Sequence, residues 1–480
     1  MYFNKMKKIN RRKFIKNSSL TAATAITSNF IANSCNENIP ASEGMYMGDF
    51  SAPKLNNIRV AFIGVGARGS GHLAYFGGIP NTEVVAVSDL YEDNIDNSIK
   101  RLKNKLNTKK LNDISKYWGE ENKWKLMLDE VKPDVVFIST NWDNHAPMAI
   151  ESMKKGAHVF VEVPIATNLE DMWKIINTSE KEQKHCMMLE NVNYFRAEMM
   201  FLNMIRQNVI GELQHGEAAY IHDLRDQMNQ ESRGTGSWRT HHYSKSSGNL
   251  YPTHGLGPIA QYMNLARTED NFKSIISYSS PAMGRKLYAE KNYPENHKWN
   301  KLNYRNGDLN TSIIKTELGR TILVQWDETS PRPYSRINLI QGTKGILTGH
   351  DIENNPNKTN NPVKVALDGG VENITNSSHD WISGKDLKNI IKKYEHPFWK
   401  RLNETAKGSD HGGSDGIMLS RIAECLHKGI PLDQNVYEGC FWSSVTPLSA
   451  KSIKENGAPQ FFPDFTRGNW KTTKPLEIIS

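Results

Sequence analysis

The sequence predicts an α/β nucleotide-binding domain with a parallel sheet, followed by an α+β domain with a mostly antiparallel sheet. Three observations carry this expectation. Short apolar runs alternate with helical stretches between residues 58 and 190, a glycine-rich turn follows the first of those runs, and after Asn191 the runs become longer and richer in β-branched and aromatic residues. At 480 residues the chain also exceeds what one core supports, since single cores stop growing near about 250 to 300 residues. The expected organisation is a leader over 1–35, a lead-in over 36–57, a nucleotide-binding domain over 58–190 and a substrate domain over 191–480.

The leader has a basic start, the stretch Asn10-Arg11-Arg12-Lys13-Phe14-Ile15-Lys16, a mildly apolar run from Leu20 to Ile31, and then Ser34-Cys35. It resembles a twin-arginine export signal, which serves proteins that fold and load a cofactor before export. The expected location is the periplasm, or the bacterial cell envelope if Cys35 carries a lipid. Ala32-Asn33-Ser34 departs from the small apolar pattern that usually precedes a lipidated cysteine, and a disordered basic tail is the plainer alternative. Lys5, Lys7, Lys8, Arg11, Arg12, Lys13 and Lys16 precede every acidic residue, and taking these seven from the net charge of +8 leaves +1. The remainder therefore has no electrostatic reason to bind nucleic acid or a polybasic-seeking membrane surface. No apolar run approaches the roughly 18 residues of a membrane span, so no transmembrane segment is expected. Cys186, Cys425 and Cys440 lack the close spacing of a zinc or redox motif and read as buried thiols, with no metal. Residues 36–57, rich in Asn, Ser, Gly and Pro, read as a flexible lead-in.

Strands are expected at Arg59 to Ile63, Val84 to Ser88, Val135 to Ser139 and His158 to Val163, with helices near Tyr91 to Leu106 and His145 to Lys155. Gly64-Val65-Gly66-Ala67-Arg68-Gly69 follows the first strand and leads into a helix, the Rossmann context that gives the glycine fingerprint meaning. Gly64 permits the tight turn, Gly66 lets the backbone approach a pyrophosphate, and Gly69 lets helix and strand pack closely. Asp89 ends the second strand, where a carboxylate binds ribose hydroxyls and repels a 2′-phosphate, so NAD is expected in preference to NADP. Thr140-Asn141-Trp142-Asp143-Asn144-His145 and Glu162-Val163-Pro164 follow two further strand ends, where parallel sheets present ligand-binding loops. Trp142 and His145 also suit ordinary loop packing and capping.

In the second half, strands are expected at Ser274 to Tyr278, Ser312 to Thr316, Thr321 to Trp326 and Arg336 to Gln341, with turns at Leu318-Gly319 and Gly342-Thr343-Lys344-Gly345. Asn354 to Asn376 is rich in Asn, Lys and Thr and reads as a surface excursion.

Glu162-Val163-Pro164 resembles the E-K-P signature of the glucose-fructose oxidoreductase and inositol dehydrogenase superfamily, with Val163 in place of the lysine that assists proton transfer in the dehydrogenases. Further stretches sharpen the likeness: Leu189-Glu190-Asn191-Val192-Asn193-Tyr194, His215-Gly216-Glu217-Ala218-Ala219-Tyr220, Trp238-Arg239, Tyr251-Pro252-Thr253-His254-Gly255-Leu256-Gly257-Pro258, Arg332-Pro333-Tyr334-Ser335-Arg336, His411-Gly412-Gly413-Ser414-Asp415 and Pro463-Asp464-Phe465-Thr466. Together they resemble the NAD-dependent α-N-acetylgalactosaminidases of glycoside hydrolase family 109. The resemblance implies that Ala67, Arg68, Asp89, Trp142, His145, Glu162, Val163 and Asn191 contact NAD. It implies that Tyr220, Arg239, Tyr251, His254 and Tyr334 surround the sugar, with Tyr251 also touching the cofactor.

The chemistry so implied is hydride removal from C3 of the sugar, loss of the C2 proton, elimination of the aglycone from C1, water addition and hydride return. His254 and Tyr251 are the expected catalytic pair, serving the C2 proton and the C3 oxygen in an order the sequence leaves open. If Pro252 opens a helix, His254 lies in its first turn, where the positive helix end favours a neutral imidazole. The expected partners are glycans containing N-acetylgalactosamine, and a homo-oligomer is compatible with all of this. A sugar dehydrogenase of the same superfamily and a non-catalytic, NAD-containing sugar-binding protein are the rival readings, the first opposed by Val163 and the second by retention of Tyr251 and His254.

Overall fold

The computed structural model describes residues 40–42, 44–107, 113–352, 361–369, 380–406 and 408–478. The leader and Cys35 lie outside the described residues. The first domain comprises β1 (Ile58–Ile63), α1 (Gly69–Phe76), β2 (Thr82–Ser88), α2 (Glu92–Lys105), β3 (Ser115–Tyr117), α3 (Lys123–Val131), β4 (Val135–Ile138), α4 (Trp142–Lys154), β5 (His158–Val161), α5 (Leu169–Glu182) and β6 (Cys186–Met188). The six strands form one parallel sheet in the order β3-β2-β1-β4-β5-β6. The strand order reverses direction between β1 and β4, so the crevice outside their carboxyl ends is where such a sheet binds a nucleotide.

The inner strands β1, β4 and β5 form because their side chains are buried on both faces, which demands near-continuous apolar runs, whereas the edge strand β3 is polar and largely exposed. Phe137 of β4 stacks on Phe62 and Phe160 at centroid separations of 5.1 Å each and touches Phe76 of α1 at 4.8 Å. Cys186, Cys425 and Cys440 are free and buried, as expected for thiols that serve packing.

The second domain comprises α6 (Arg196–Arg206), β7 (Leu213–Ile221), α7 (Thr235–Lys245), α8 (Thr253–Tyr262), β8 (Phe272–Ser279), α9 (Gly284–Asn292), β9 (Asn310–Thr316), β10 (Thr321–Asp327), β11 (Leu339–Gly342), β12 (Gly345–Thr348) and β13 (Lys364–Leu367). These are followed by α10 (Gly384–Tyr394), α11 (Pro397–Ala406), α12 (Ser414–Lys428), α13 (Val436–Lys454) and β14 (Gln460–Phe461). The eight strands form a mixed sheet in the order β13-β12-β11-β7-β10-β9-β8-β14, antiparallel except for the central pair β7 and β10.

Four features differ from the sequence expectation. The excursion over 354–376 is not wholly a surface loop, because Lys364–Leu367 pairs with β12 as the sheet's edge strand, burying Val365. The strand expected from Arg336 begins only at Leu339, because Ile337 and Asn338 take left-handed φ values of 59° and 54° that no strand allows. The lead-in is held against the body where it is described: Met45 N donates to Glu180 O at 3.1 Å, Met47 N to Tyr437 OH at 3.1 Å, and Leu55 N to Leu426 O at 3.0 Å. Finally, α11 and α12 leave the second half of the chain and return to the parallel sheet, where Phe398, Ile417 and Ile422 share a core with Val60, Phe62 and Phe160.

Two buried histidines link this packing to pH. His158 and His396 each accept a backbone N–H on Nδ1, from His185 at 3.0 Å and from Phe398 at 3.1 Å, so neither can take a proton there without losing the bond. Burial, aided by Lys184, lowers His158 to about 3, and burial, aided by Arg421, lowers His396 to about 4. Folded values below the unfolded 6.5 mean that the stability is fully present above pH 6.5 and is lost as pH falls through the interval toward the folded values. The melting temperature is expected to fall steeply from pH 6.5 to 4, and His396→Gln is expected to flatten that slope. An unchanged slope in thermal melts across this range would remove His396 from the account.

Candidate active site

The glycine loop has the geometry a dinucleotide needs. Gly64 sits at φ +80°, and a Cβ there would lie 2.6 Å from Ser139 O; a Cβ on Gly69 would lie 2.0 Å from Gly64 O. A Cβ on Gly66 would meet nothing nearer than Asn94 Nδ2 at 3.9 Å, so its backbone faces open crevice. Asp89 accepts Val65 N at 2.8 Å on one oxygen, and Tyr91 N and Asn94 Nδ2 at 3.0 Å on the other, which fixes the carboxylate beside the loop. An open cradle beside a fixed carboxylate fits a dinucleotide with free ribose hydroxyls.

Behind the loop lies a buried charge cluster that joins three parts of the chain. Arg68 pairs with Glu162 at 3.2 Å and with Asp415 of α12 at 2.8 Å, while His72 of α1 meets the same Glu162 oxygen at 2.6 Å. Asn191 Nδ2 donates to Asp415 Oδ1 at 2.7 Å, and His411 lies 2.9 Å from Asp415 Oδ2. Burial opposes ionisation of Glu162, but Arg68 and His72 outweigh it and lower its pKa to about 2. Burial likewise opposes ionisation of Asp415, and His411 and Arg68 outweigh it, holding the carboxyl well below its usual range. Val163, beside Glu162, is buried and supplies no proton-transfer group. His145 is buried with Nδ1 donating to Pro164 O at 2.7 Å and Nε2 3.3 Å from Thr140 O, so its ring ties together the two loops that follow β4 and β5.

Opposite this cluster, α8 is pressed between β7 and the turn after β6. A Cβ on Gly255 would lie 2.4 Å from Ala219 N, and one on Gly257 would lie 2.9 Å from Asn193 Oδ1 and 3.0 Å from Glu190 Cγ. Only glycine allows the helix so close to both neighbours, and that approach sets where His254 meets Glu190. Pro252 precedes α8, His254 falls in the first turn, and its Nδ1 lies 2.7 Å from Oε1 of the fully buried Glu190. A carboxylate accepts from Nδ1–H, which leaves the lone pair on Nε2.

Around His254, the Tyr251 ring lies at 4.8 Å and the Tyr220 ring at 5.2 Å, and the two tyrosines are 4.8 Å apart. Tyr334 lies 6.2 Å from Tyr220, its hydroxyl accepting from Arg336 at 2.9 Å. Arg239 is enclosed by rings, its guanidinium carbon 4.9 Å from Trp142, 5.5 Å from Trp238 and 5.3 Å from Tyr251. Glu328 anchors it at 3.4 Å and also accepts the Tyr243 hydroxyl. Burial raises Tyr251 well above its ordinary value, with Arg239 opposing.

The structure thus brings Tyr220, Arg239, Tyr251, His254 and Tyr334 together, and it brings Trp142 against Trp238 at 5.0 Å at the junction with the nucleotide domain. Sequence reasoning passed over Glu190, Asp415 and Glu328 as functional partners. Glu190 carried a usable signal, since it follows the short apolar run Cys186 to Leu189 as Glu162 follows its own strand.

A Rossmann domain with a carboxylate fixed beside its glycine loop, joined to a mixed-sheet domain that presents tyrosine, histidine and arginine toward it, defines an NAD-binding protein of oxidoreductase architecture. Residues 58–190 match the family model described as an oxidoreductase family with an NAD-binding Rossmann fold, and residues 194–472 match that of the glycosyl hydrolase 109 C-terminal domain. The chain belongs to glycosyl hydrolase family 109. It is 55% identical over 437 residues to glycosyl hydrolase family 109 protein 1 of Akkermansia muciniphila, covering 91% of this chain and 87% of that one. It is 50% identical to protein 2 of the same organism (98% of this chain, 99% of that one), and 47% identical to a family 109 protein of Shewanella pealeana (98% and 99%). Among solved structures, a levoglucosan dehydrogenase in complex with NADH and levoglucosan shares the fold at a TM-score of 0.64 and 16% identity, over 85% of this chain and 100% of that one. NAD is the cofactor of this fold, and the cradle described above fits it.

Proposed function

We propose that the protein hydrolyses terminal α-linked N-acetylgalactosamine from glycans by transient oxidation of the sugar. The observation that carries this reading is that three carboxylates at the site are tied to a cation or a donor: Glu162 to Arg68 and His72, Glu190 through Oε1 to His254, Glu328 to Arg239 and Tyr243. Ordinary glycosidases place two carboxyl groups about 5 to 9.5 Å apart across the bond, one of them able to give up a proton, and NAD-dependent glycosidases are among the exceptions. Bound NAD supplies reversible hydride acceptance at C3, finishing each turnover as it began.

The chain's own groups divide the proton work. Oxidation at C3 would release the hydroxyl proton to solvent as the hydride leaves, and Tyr251, held protonated by burial, donates a hydrogen bond to the C3 oxygen and stabilises negative charge there. His254, with Nδ1–H committed to Glu190, takes the C2 proton on Nε2. Loss of that proton, made acidic by the neighbouring ketone, expels the aglycone from C1, its oxygen taking up the proton that His254 removed; water then adds, hydroxyl to C1 and proton to C2, and the C3 ketone regains hydride and a solvent proton. Arg239 and Tyr220 orient the hydroxyl and acetamido oxygens, and Trp142, Trp238 and Tyr334 wall the ring. The residue pattern of the leader supports export to the cell envelope as the setting.

The test is incubation of the mature protein, without added NAD, with an aryl α-N-acetylgalactosaminide in deuterium oxide. The expected result is aryl release with deuterium at C2 of the sugar. Absence of release, with steady NADH formation from free sugars and supplied NAD, would replace this reading with a dehydrogenase.

A further inference from the structure

The glycosidase reading leaves one well-built contact without a role, at the far end of the nucleotide crevice. The segment between Gln230 and Gly234 belongs to the substrate domain, yet it reaches across to the nucleotide domain. It is anchored at its base, where Gln230 Oε1 accepts Gly236 N at 2.8 Å and Glu231 meets His297 at 3.0 Å. Gly234, at φ +96°, turns the chain and leaves Arg233 as the projecting residue.

Arg233 makes three contacts with the loop and helix that follow Asp89. Its guanidinium carbon lies 4.1 Å over the ring of Tyr91, one terminal nitrogen donates to Asp93 Oδ2 at 2.8 Å, and the same nitrogen donates to Asn94 Oδ1. Asn94 in turn donates to Asp89, the carboxylate that holds Val65 N of the glycine loop. A chain of hydrogen bonds therefore runs from the substrate domain to the ribose-binding carboxylate. Alone, the Arg233–Asp93 pair is a surface salt bridge of little worth. Its position gives it a role: in a Rossmann domain, residues just beyond the ribose carboxylate border the adenine. That border carries three large side chains left exposed, Leu90 at 50%, Tyr91 at 40% and Trp118 at 42%. Exposed apolar side chains with a planar cation laid over one of them, Tyr91, suit a purine face, since guanidinium groups stack on aromatic planes.

We propose that Arg233 is a cofactor-retaining residue, a latch contributed by the substrate domain that closes over the adenosine half of NAD and slows its release. The latch is useful to a protein that must hold the same NAD from one turnover to the next. The proposal rests only on NAD binding and stands whichever reaction the site performs.

The test measures release of NADH from the loaded protein by its fluorescence during a chase with excess NAD, comparing wild type with Arg233→Ala and Arg233→Lys. Release is expected to be about tenfold faster in both variants, because lysine lacks the planar fork. Asp93→Asn, which removes one anchor, is expected to move release in the same direction. Melting of the cofactor-free forms is expected to coincide, since the side chain is solvent-exposed. Unchanged release in Arg233→Ala would overturn the proposal and leave a simple surface contact. Unchanged NAD release with weakened NADP binding would also overturn it, making Arg233 a reader of a 2′-phosphate.

Discussion

Replacing His254 with alanine is expected to lower turnover of an aryl α-N-acetylgalactosaminide by about 10² to 10⁴-fold, the range that positioned acid–base groups supply. Bound NAD is expected to stay at the wild-type level, because His254 reaches the cofactor loop through no hydrogen bond of its own. Deuterium incorporation at C2 is expected to disappear with turnover. Glu190→Ala removes the group that holds Nδ1–H and so permits the wrong tautomer and ring orientation. Its loss is expected to approach that of His254→Ala, and the double variant is expected to be little worse than the worse single one, since residues acting as a unit are strongly non-additive. Kinetics of the three variants, with NAD content measured on each, check the prediction. Losses that simply multiply would show that Glu190 and His254 act separately, and a His254→Ala protein that turns over normally would make the imidazole a helix-end packing residue.

The second large effect concerns stability and cofactor loading together. Asp415→Ala is expected to destabilise the protein by about 3 to 5 kcal/mol, the cost of removing one partner of a buried ion pair. Asp415 is only 4% exposed and serves Arg68, Asn191 and His411 at once, so its loss strips Arg68 of one of its two carboxylates and leaves the buried Asn191 amide without its acceptor. The Arg68 side chain is 31% exposed, so solvent relieves part of the penalty and the lower end of the range applies. NAD occupancy should fall as well, because Arg68 belongs to the glycine loop. Asp415→Asn, which keeps the shape but loses the charge, is expected to lie between. Melting curves and NAD content of the purified variants decide the matter; an Asp415→Ala protein that melts as wild type would mean that the cluster is already solvated.

The acid side of the same cluster has a definite sign. Glu162 falls to about 2 from an ordinary 4.5, so its contribution is present above pH 4.5 and disappears as pH drops toward 2. This loss begins where the contribution of His396 is already spent, so acid unfolding should proceed in two stages of different origin.

Much of the nucleotide domain was legible because its signals are local. β1, β2, β4 and β5 are apolar on both faces and announce themselves as continuous runs. β6 is only three residues long, too short to register, and with it went the clue that Glu190 stands at a strand end. In the second domain the edge strand Lys364–Leu367 hides in a polar surround, because an edge strand buries only alternate residues and needs little apolar density. The candidate site was legible mainly through family resemblance. No residue-level rule places Tyr220, Arg239 and Tyr334 in one pocket, since they lie on separate elements.

What the sequence determined by itself is the machinery that depends on neighbours along the chain. The clash that forces glycine at 69 is with Gly64, five positions away, and Asp89 closes on Val65 across one strand-helix-strand unit, so NAD recognition is written in short-range sterics and charge. The tertiary structure alone decided which charge meets which. His254 finds Glu190 across 64 positions, and Arg68 finds Asp415 across 347. A carboxylate will pair with any cation or donor brought within reach. Its partner is therefore chosen by how closely helices pack, here through the bare faces of Gly255 and Gly257 and the return of Ser414–Lys428 to the parallel sheet, and not by any preference carried in the residue itself.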